Sequence, residues 1–140
     1  MDKKQLEQLV REILLEQLDA DHGVRKVDVP ALRISEADRM DTGNRADKVY
    51  THDLFTLGQS PRLGAGLMEM EDTTFPWTLH YDEMDYVIEG ELTVEIGHRR
   101  ITAGPGQVIY IPKDSSIRFS VSGKARFLYF VYPADWQRQG

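Results

Sequence analysis

From residue 49 to residue 132 the chain is cut into short apolar runs, each closed within a few positions by Gly, Pro or Ser. Runs at residues 49–57 and 62–70 are broken by the turn-rich tetrad Gly58-Gln59-Ser60-Pro61. Leu92, Val94 and Ile96 alternate with Glu91, Thr93 and Glu95, and Gly97-His98 then turns the chain into residues 99–103, a hairpin with one wet face. Residues 108–111, 117–121 and 126–132 complete the set. Several short strands at this spacing predict an all-β barrel or jelly roll. Gly64 and Gly66 inside the second run predict a close backbone approach there. The last run, Phe127-Leu128-Tyr129-Phe130-Val131-Tyr132, is apolar at both parities and predicts a strand covered on both faces, one of them available to a second subunit.

The stretch from Phe75 to Glu91 is the chemically richest part of this pattern. It is aromatic at one end, acidic in the middle, and ends in a glycine turn. An extended chain points alternate side chains to opposite faces, so Trp77, Leu79, Tyr81 and Glu83 share one face while Thr78, His80 and Asp82 take the other. Asp85 has the parity of Glu83. Two carboxylates facing one pocket suit either acid-base chemistry or a hard cation such as Mg²⁺ held through oxygens and waters. The loop Lys113-Asp114-Ser115-Ser116 adds a cation and hydroxyls able to contact an anion, or it is a solvated turn.

Charge and composition exclude several classes. The 17 basic and 23 acidic residues leave a net charge of -6, which opposes nonspecific binding to a phosphate backbone, so no nucleic-acid partner is expected. Without cysteine there is no disulfide framework, thiolate metal site or thiol nucleophile. There is no Gly-x-x-x-x-Gly-Lys-Ser/Thr phosphate loop and no Gly-x-Ser-x-Gly elbow. No apolar run reaches the roughly 18 residues of a membrane span, and no secretory signal opens the chain. A soluble, cytoplasmic protein without membrane contact is expected.

Ahead of the strands, Leu6, Leu9, Val10, Ile13, Leu14 and Leu18 recur at three- and four-residue intervals, the mark of an amphipathic helix over residues 1–20 that stops between Asp19 and Gly23. Its apolar face can pack on the barrel or a second subunit, or residues 1–18 can dock a partner. Residues 21–48, polar with Pro30, Gly43 and Asn44, read as a linker, and residues 49–140 as the barrel domain.

Two motifs carry a resemblance. The spacing from Glu83 to Gly90, followed by Gly106-Gln107-Val108-Ile109-Tyr110-Ile111-Pro112, resembles the paired motifs of the cupin superfamily, which implies a cupin-type β-barrel in which the Glu83 position points inward. The histidine ligands of metal-binding cupins fall here on Trp77, Leu79 and Ile117, none of which has a ligating atom, so no tightly bound transition metal is expected. A metal-dependent alternative would rely on Glu83 and His80. The segments Phe75-Pro76-Trp77-Thr78-Leu79, Tyr81-Asp82-Glu83, Ile111-Pro112-Lys113, Ser115-Ser116-Ile117, Arg126-Phe127-Leu128-Tyr129 and Pro133-Ala134-x-Trp136-Gln137 are together similar to the EutQ family of ethanolamine-utilisation cupins.

That resemblance implies an acetate kinase activity, acetate and ATP giving acetyl phosphate and ADP, with Mg²⁺ and ATP as cofactors. In this reading Glu83, Tyr81 and Asp85 are catalytic. The carboxylates hold Mg²⁺, Lys113 and Ser115 contact phosphate, Tyr81 orients acetate, and Trp77 contributes to the substrate site. It also implies a homodimer in a bacterial microcompartment, with shell or cargo proteins as partners. Residues 6–15 are similar to the short terminal helices that send enzymes into such compartments. The alternative is a non-catalytic cupin that binds another small metabolite or a shell partner.

Overall fold

The computed structural model describes residues 1–20 and 23–138, with the backbone alone for residues 14–20. It forms two compact units, residues 1–30 and residues 31–140. In the first unit, helix α1 (Lys3–Ala20) begins at a reciprocal cap. The Gln5 backbone N–H donates to Asp2 Oδ1 at 2.8 Å and the Asp2 N–H donates to Gln5 Oε1 at 3.0 Å, so two donors that the first turn leaves free are satisfied. Leu6, Leu9, Val10 and Ile13 are exposed on this helix. The expected stripe positions Leu14 and Leu18 lie outside the described side chains, and part of the expected stop lies outside the described residues.

Among the described residues the second unit holds seven strands: β1 (Lys48–Asp53), β2 (Gly64–Leu79), β3 (Asp82–Glu89), β4 (Leu92–Ile96), β5 (Arg99–Ala103), β6 (Val108–Ile111) and β7 (Ser115–Tyr132). All pairings are antiparallel, in the order β1-β2-β7-β3-β6, with β4 joining β5 to β7. The expected all-β fold with an amphipathic N-terminal helix is present.

Four details differ from the sequence reading. The runs at 117–121 and 126–132 are one strand, because Gly123 at φ +76° lets β7 bend without breaking. Opposite it Asp72, at φ 41°, shifts the β2 register, and its Oδ1 accepts the Gly123 N–H at 2.7 Å. This pinned bulge bends both long strands together and lets β7 pair with β4 through its first half and with β3 through its second. Likewise, the run at 62–70 extends through Leu79, and the run at 49–57 stops at Asp53.

Thirdly, the expected linker over 21–48 is not one from Ala31 onward. Arg39 bridges to Tyr50 on β1, the Met40 N–H donates to the Val49 carbonyl at 2.8 Å, and Met40 packs on the core. Polar composition hid this because polar contacts, among them Asp38 with His52 and Arg126 with the Leu32 carbonyl, fasten the segment alongside that bridge. Finally, the chain itself covers one face of β7, where Phe127 and Val131 are buried, whereas Phe130 and Tyr132 on the other face are exposed, as the side left for a second subunit would be. Phe130 lies in a cross-strand row with Met84 and Tyr110, both also exposed.

Candidate functional site

Burial alternates through the acidic stretch as its parity requires. Phe75, Leu79, Tyr81, Glu83, Asp85 and Val87 are buried and Trp77 is half-buried, while Thr78, His80, Met84 and Tyr86 are exposed. Because the turn between β2 and β3 occupies only His80 and Tyr81, the inward face continues from one strand to the next. The result is a cavity of about 390 Å³ in the barrel, within the range of small-molecule sites.

Its walls are aromatic. The Trp77 and Trp136 rings stand 5.8 Å apart at 62°, and Tyr81 lies 5.4 Å from Trp136. Trp77 Nε1–H donates to the Tyr81 hydroxyl oxygen at 2.7 Å. That hydroxyl therefore has its acceptor capacity engaged and keeps its own proton to donate. Burial first, and then the nearby Glu83 carboxyl, hold the Tyr81 phenol above its usual range, so it stays protonated.

At the far wall Tyr129 donates from its hydroxyl to Asp53 Oδ1 at 3.1 Å. The reach depends on Gly66, the cross-strand neighbour of both residues. A Cβ at Gly66 would stand 2.0 Å from the Tyr129 ring, so the ring lies across bare backbone. The close approach expected from Gly64 and Gly66 is thus present. Asp41 and Asp53, both exposed, mark the cavity rim.

Glu83 lines the cavity yet is only 6% exposed, and Asp85 beside it on β3 is fully buried. Burial pushes the Glu83 carboxyl up to about 7. Burial, and then the neighbouring Glu83 carboxyl, hold Asp85 well above its ordinary value. The two groups are close enough to titrate together, although neither Asp85 oxygen has a partner in good hydrogen-bonding geometry.

This arrangement links stability to pH. Unfolded Glu83 loses its proton near 4.5 and folded Glu83 near 7, so between these values the folded state binds more protons. The stabilisation is complete below about 4.5 and is lost as pH rises through about 7, on the order of 3 kcal/mol for Glu83. Asp85 acts in the same direction. Melting temperature is therefore expected to fall over this interval more steeply in the wild type than in Glu83→Gln; parallel curves for the two proteins would refute the assignment.

The sequence-selected residues separate into two groups. Trp77, Tyr81 and Glu83 meet in the cavity, with Asp85 directly behind Glu83. Lys113 and Ser115 do not line it. Ser115 is buried and donates its hydroxyl to the Pro112 carbonyl at 2.7 Å, which stabilises the loop. The Lys113 backbone N–H is held by Asp82 Oδ1 at 2.9 Å, while its side chain is exposed. His80 is also outside, 3.6 Å from Asp114. Leu79 and Ile117 belong to the core, and Trp77 pairs with Ile117 across β2 and β7.

Sequence reasoning missed Asp41, Asp53, Tyr129 and Trp136 as site residues. For Tyr129 a signal existed: a tyrosine in an apolar run needs a partner for its hydroxyl. Nothing local marked Asp53, which pairing alone brings level with Gly66 and Tyr129.

Comparison with known proteins places this geometry in context. A family model described as ethanolamine utilisation protein EutQ matches residues 1–138. A relative from Clostridioides difficile, named acetate kinase EutQ, is 49% identical over 99% of this chain and 96% of its own length. A relative of the same name from Escherichia coli is 35% identical over 97% of this chain, which spans only 57% of that longer protein. Among solved structures, the Clostridium difficile EutQ protein superposes with a TM-score of 0.82 at 55% identity, over 85% of this chain and 87% of that one. A cupin superfamily protein from Desulfitobacterium hafniense, 17% identical, has a TM-score of 0.55 over 61% of this chain and 78% of its own, which shows the shared fold.

Proposed function

Because the chain belongs to the EutQ family of ethanolamine utilisation proteins, we propose that its barrel cavity phosphorylates acetate from ATP, the activity for which its relatives are named. The single observation that supports this reading is the cavity-lining carboxyl of Glu83, whose burial beside Asp85 pushes it up to about 7. No Lys, Arg or His lines the cavity among the described residues. An anionic acceptor can then be held only by neutral donors, and the protonated Glu83 carboxyl and the Tyr81 O–H are two. They bind one acetate oxygen and leave the other free to attack.

The attacking oxygen forms a bond to the γ-phosphorus of ATP as the bond from that phosphorus to the bridging oxygen breaks, and ADP leaves with the electron pair. The aromatic walls position the acceptor and exclude water that would otherwise take the phosphoryl group.

Mg²⁺ bound to the nucleotide supplies the neutralising charge that this acidic cavity lacks. No three His, Asp or Glu side chains among the described residues converge as a complete metal site. That donor set nonetheless fits Mg²⁺, which keeps several waters and needs only one or two carboxylates beside the phosphates. The rim oxygens of Asp41 and Asp53 would hold it. A neutral Glu83 is a poor ligand, so its part is toward acetate.

The test is acetyl phosphate formation by the purified chain from acetate and MgATP. Tyr81→Phe is expected to raise KM for acetate about tenfold with little change for ATP, the loss of one hydrogen bond to a charged group. An equal rate in wild type, Tyr81→Phe and a Glu83 variant would point to a contaminating kinase and end the proposal.

The exposed helix face extends the reading to location. Leu6, Leu9, Val10 and Ile13 form an apolar stripe suited to groove docking, and we assign it to attachment to a microcompartment component. Leu9→Asp with Ile13→Asp in the full chain should abolish co-sedimentation with compartments while acetate phosphorylation persists. Retained co-sedimentation would remove the helix from this role.

A further inference from the structure

The same cavity has a second chemical character, which does not depend on the phosphorylation reading. We propose that it is a binding site for small organic ammonium ions. Charge is the first argument. Asp41, Asp53 and Glu83 line the cavity and no basic side chain does so among the described residues, so a monovalent cation can enter without metal or counter-charge. The Tyr129 hydroxyl aims the Asp53 carboxylate at 3.1 Å, and an ammonium group can bond to its remaining lone pairs.

The second argument is the aromatic wall. Trp77, Tyr81 and Trp136 stand with neighbouring ring centroids 5.4 and 5.8 Å apart. Ring faces attract a cation lying within about 6 Å of a centroid, most strongly when the cation is weakly hydrated. A hard metal ion gains little from such faces and prefers a full oxygen shell, whereas an alkylammonium can set its alkyl body on the rings and its N–H groups on the carboxylates.

Glu83 is the third argument, and it points to a ligand independently. It is a polar side chain more than nine-tenths buried, it faces the cavity, and the Asp85 carboxyl that neighbours it on its own strand is an acid that brings no cationic partner. An ammonium donor would satisfy its carbonyl oxygen and draw the carboxyl toward its ionised form. Acetate and an organic ammonium would then compete for the same side chain, so amine supply would restrain any reaction run in the cavity.

The experiment is direct titration of the full chain, without nucleotide or Mg²⁺ and at constant ionic strength. Probes are ethylammonium, 2-hydroxyethylammonium and tetramethylammonium, with 1-propanol, ethane-1,2-diol and K⁺ as controls. Calorimetry gives affinity, and the fluorescence of Trp77 and Trp136, the chain's two tryptophans, locates the event. At least one ammonium probe is expected to bind about tenfold or more tightly than its neutral counterpart, with a tryptophan signal that K⁺ does not reproduce.

Asp53→Asn and Trp136→Leu should each weaken that binding about tenfold. Circular dichroism and melting curves would verify that both variants fold, and a variant that does not is replaced by Asp41→Asn. Equal binding of neutral and charged probes, no binding at all, or full affinity in folded Asp53→Asn would overturn the proposal. Acetate or MgATP binding with no ammonium binding would overturn it too, while leaving the phosphorylation reading intact.

Discussion

Glu83→Leu is expected to lower kcat/KM for acetate about ten- to a hundredfold and, in the same protein, to raise thermal stability above pH 7. Both effects come from one burial. Removing a hydrogen bond to a charged substrate oxygen costs about 1.5–3 kcal/mol of binding, which sets the size of the catalytic loss. The folded wild type, meanwhile, spends stability to ionise a carboxyl that is only 6% exposed, and an apolar side chain of similar length has no such cost. Glu83→Gln separates the parts: its amide still donates, so it should retain activity within about tenfold of wild type while losing the Glu83 share of the pH dependence of stability. The pair is assayed by acetyl phosphate formation and by melting curves at pH 5 and pH 8. Full activity in Glu83→Leu would remove Glu83 from the acceptor site, and a loss of stability at pH 8 would show that its burial is better compensated than its environment implies.

Gly90→Ala is expected to cost about 3–5 kcal/mol, a large part of the roughly 5–15 kcal/mol that holds a domain together. Gly90 closes the turn after β3 at φ +77°, a conformation that disfavours a Cβ by about 1–2 kcal/mol. The new Cβ would also stand 2.1 Å from the Lys124 carbonyl oxygen and 2.9 Å from Ala125 Cα. These are backbone atoms of β7, so relief requires moving the strand that pairs with β2, β3 and β4. Gly97→Ala is the control: its φ of +58° carries the conformational cost, but nothing lies within 4 Å of the added methyl. Chemical denaturation should rank the two variants with Gly90→Ala the less stable by about 2 kcal/mol or more. Equal stabilities would show that β7 yields easily at its bend.

Much of the site was legible because strand geometry is strictly local. The alternation that buries Tyr81, Glu83 and Asp85 follows from a period of two, and a turn of only two residues does not interrupt it. Gly90 was legible for a similar reason, since a motif glycine after a strand marks a backbone state that other residues avoid. Lys113 and Ser115 show where local reading fails. A lysine and a serine in a loop have the chemistry for phosphate, but whether they face a cavity depends on where the loop packs. Here the loop is fastened outward, with the Asp114 N–H on the Leu79 carbonyl at 2.8 Å and the Lys113 N–H on Asp82.

The sequence by itself therefore determined the all-β class, the amphipathic helix and the inward face of the acidic stretch. Each depends on residue type and short-range periodicity, which act through the backbone of neighbouring residues. Only the tertiary structure decided that two runs form a single bent β7, that residues 31–47 join the barrel, and that Asp53, Gly66 and Tyr129 meet across three strands. It also decided the ionisation of Glu83, because the energy of a buried charge depends on how much water the assembled barrel leaves around it.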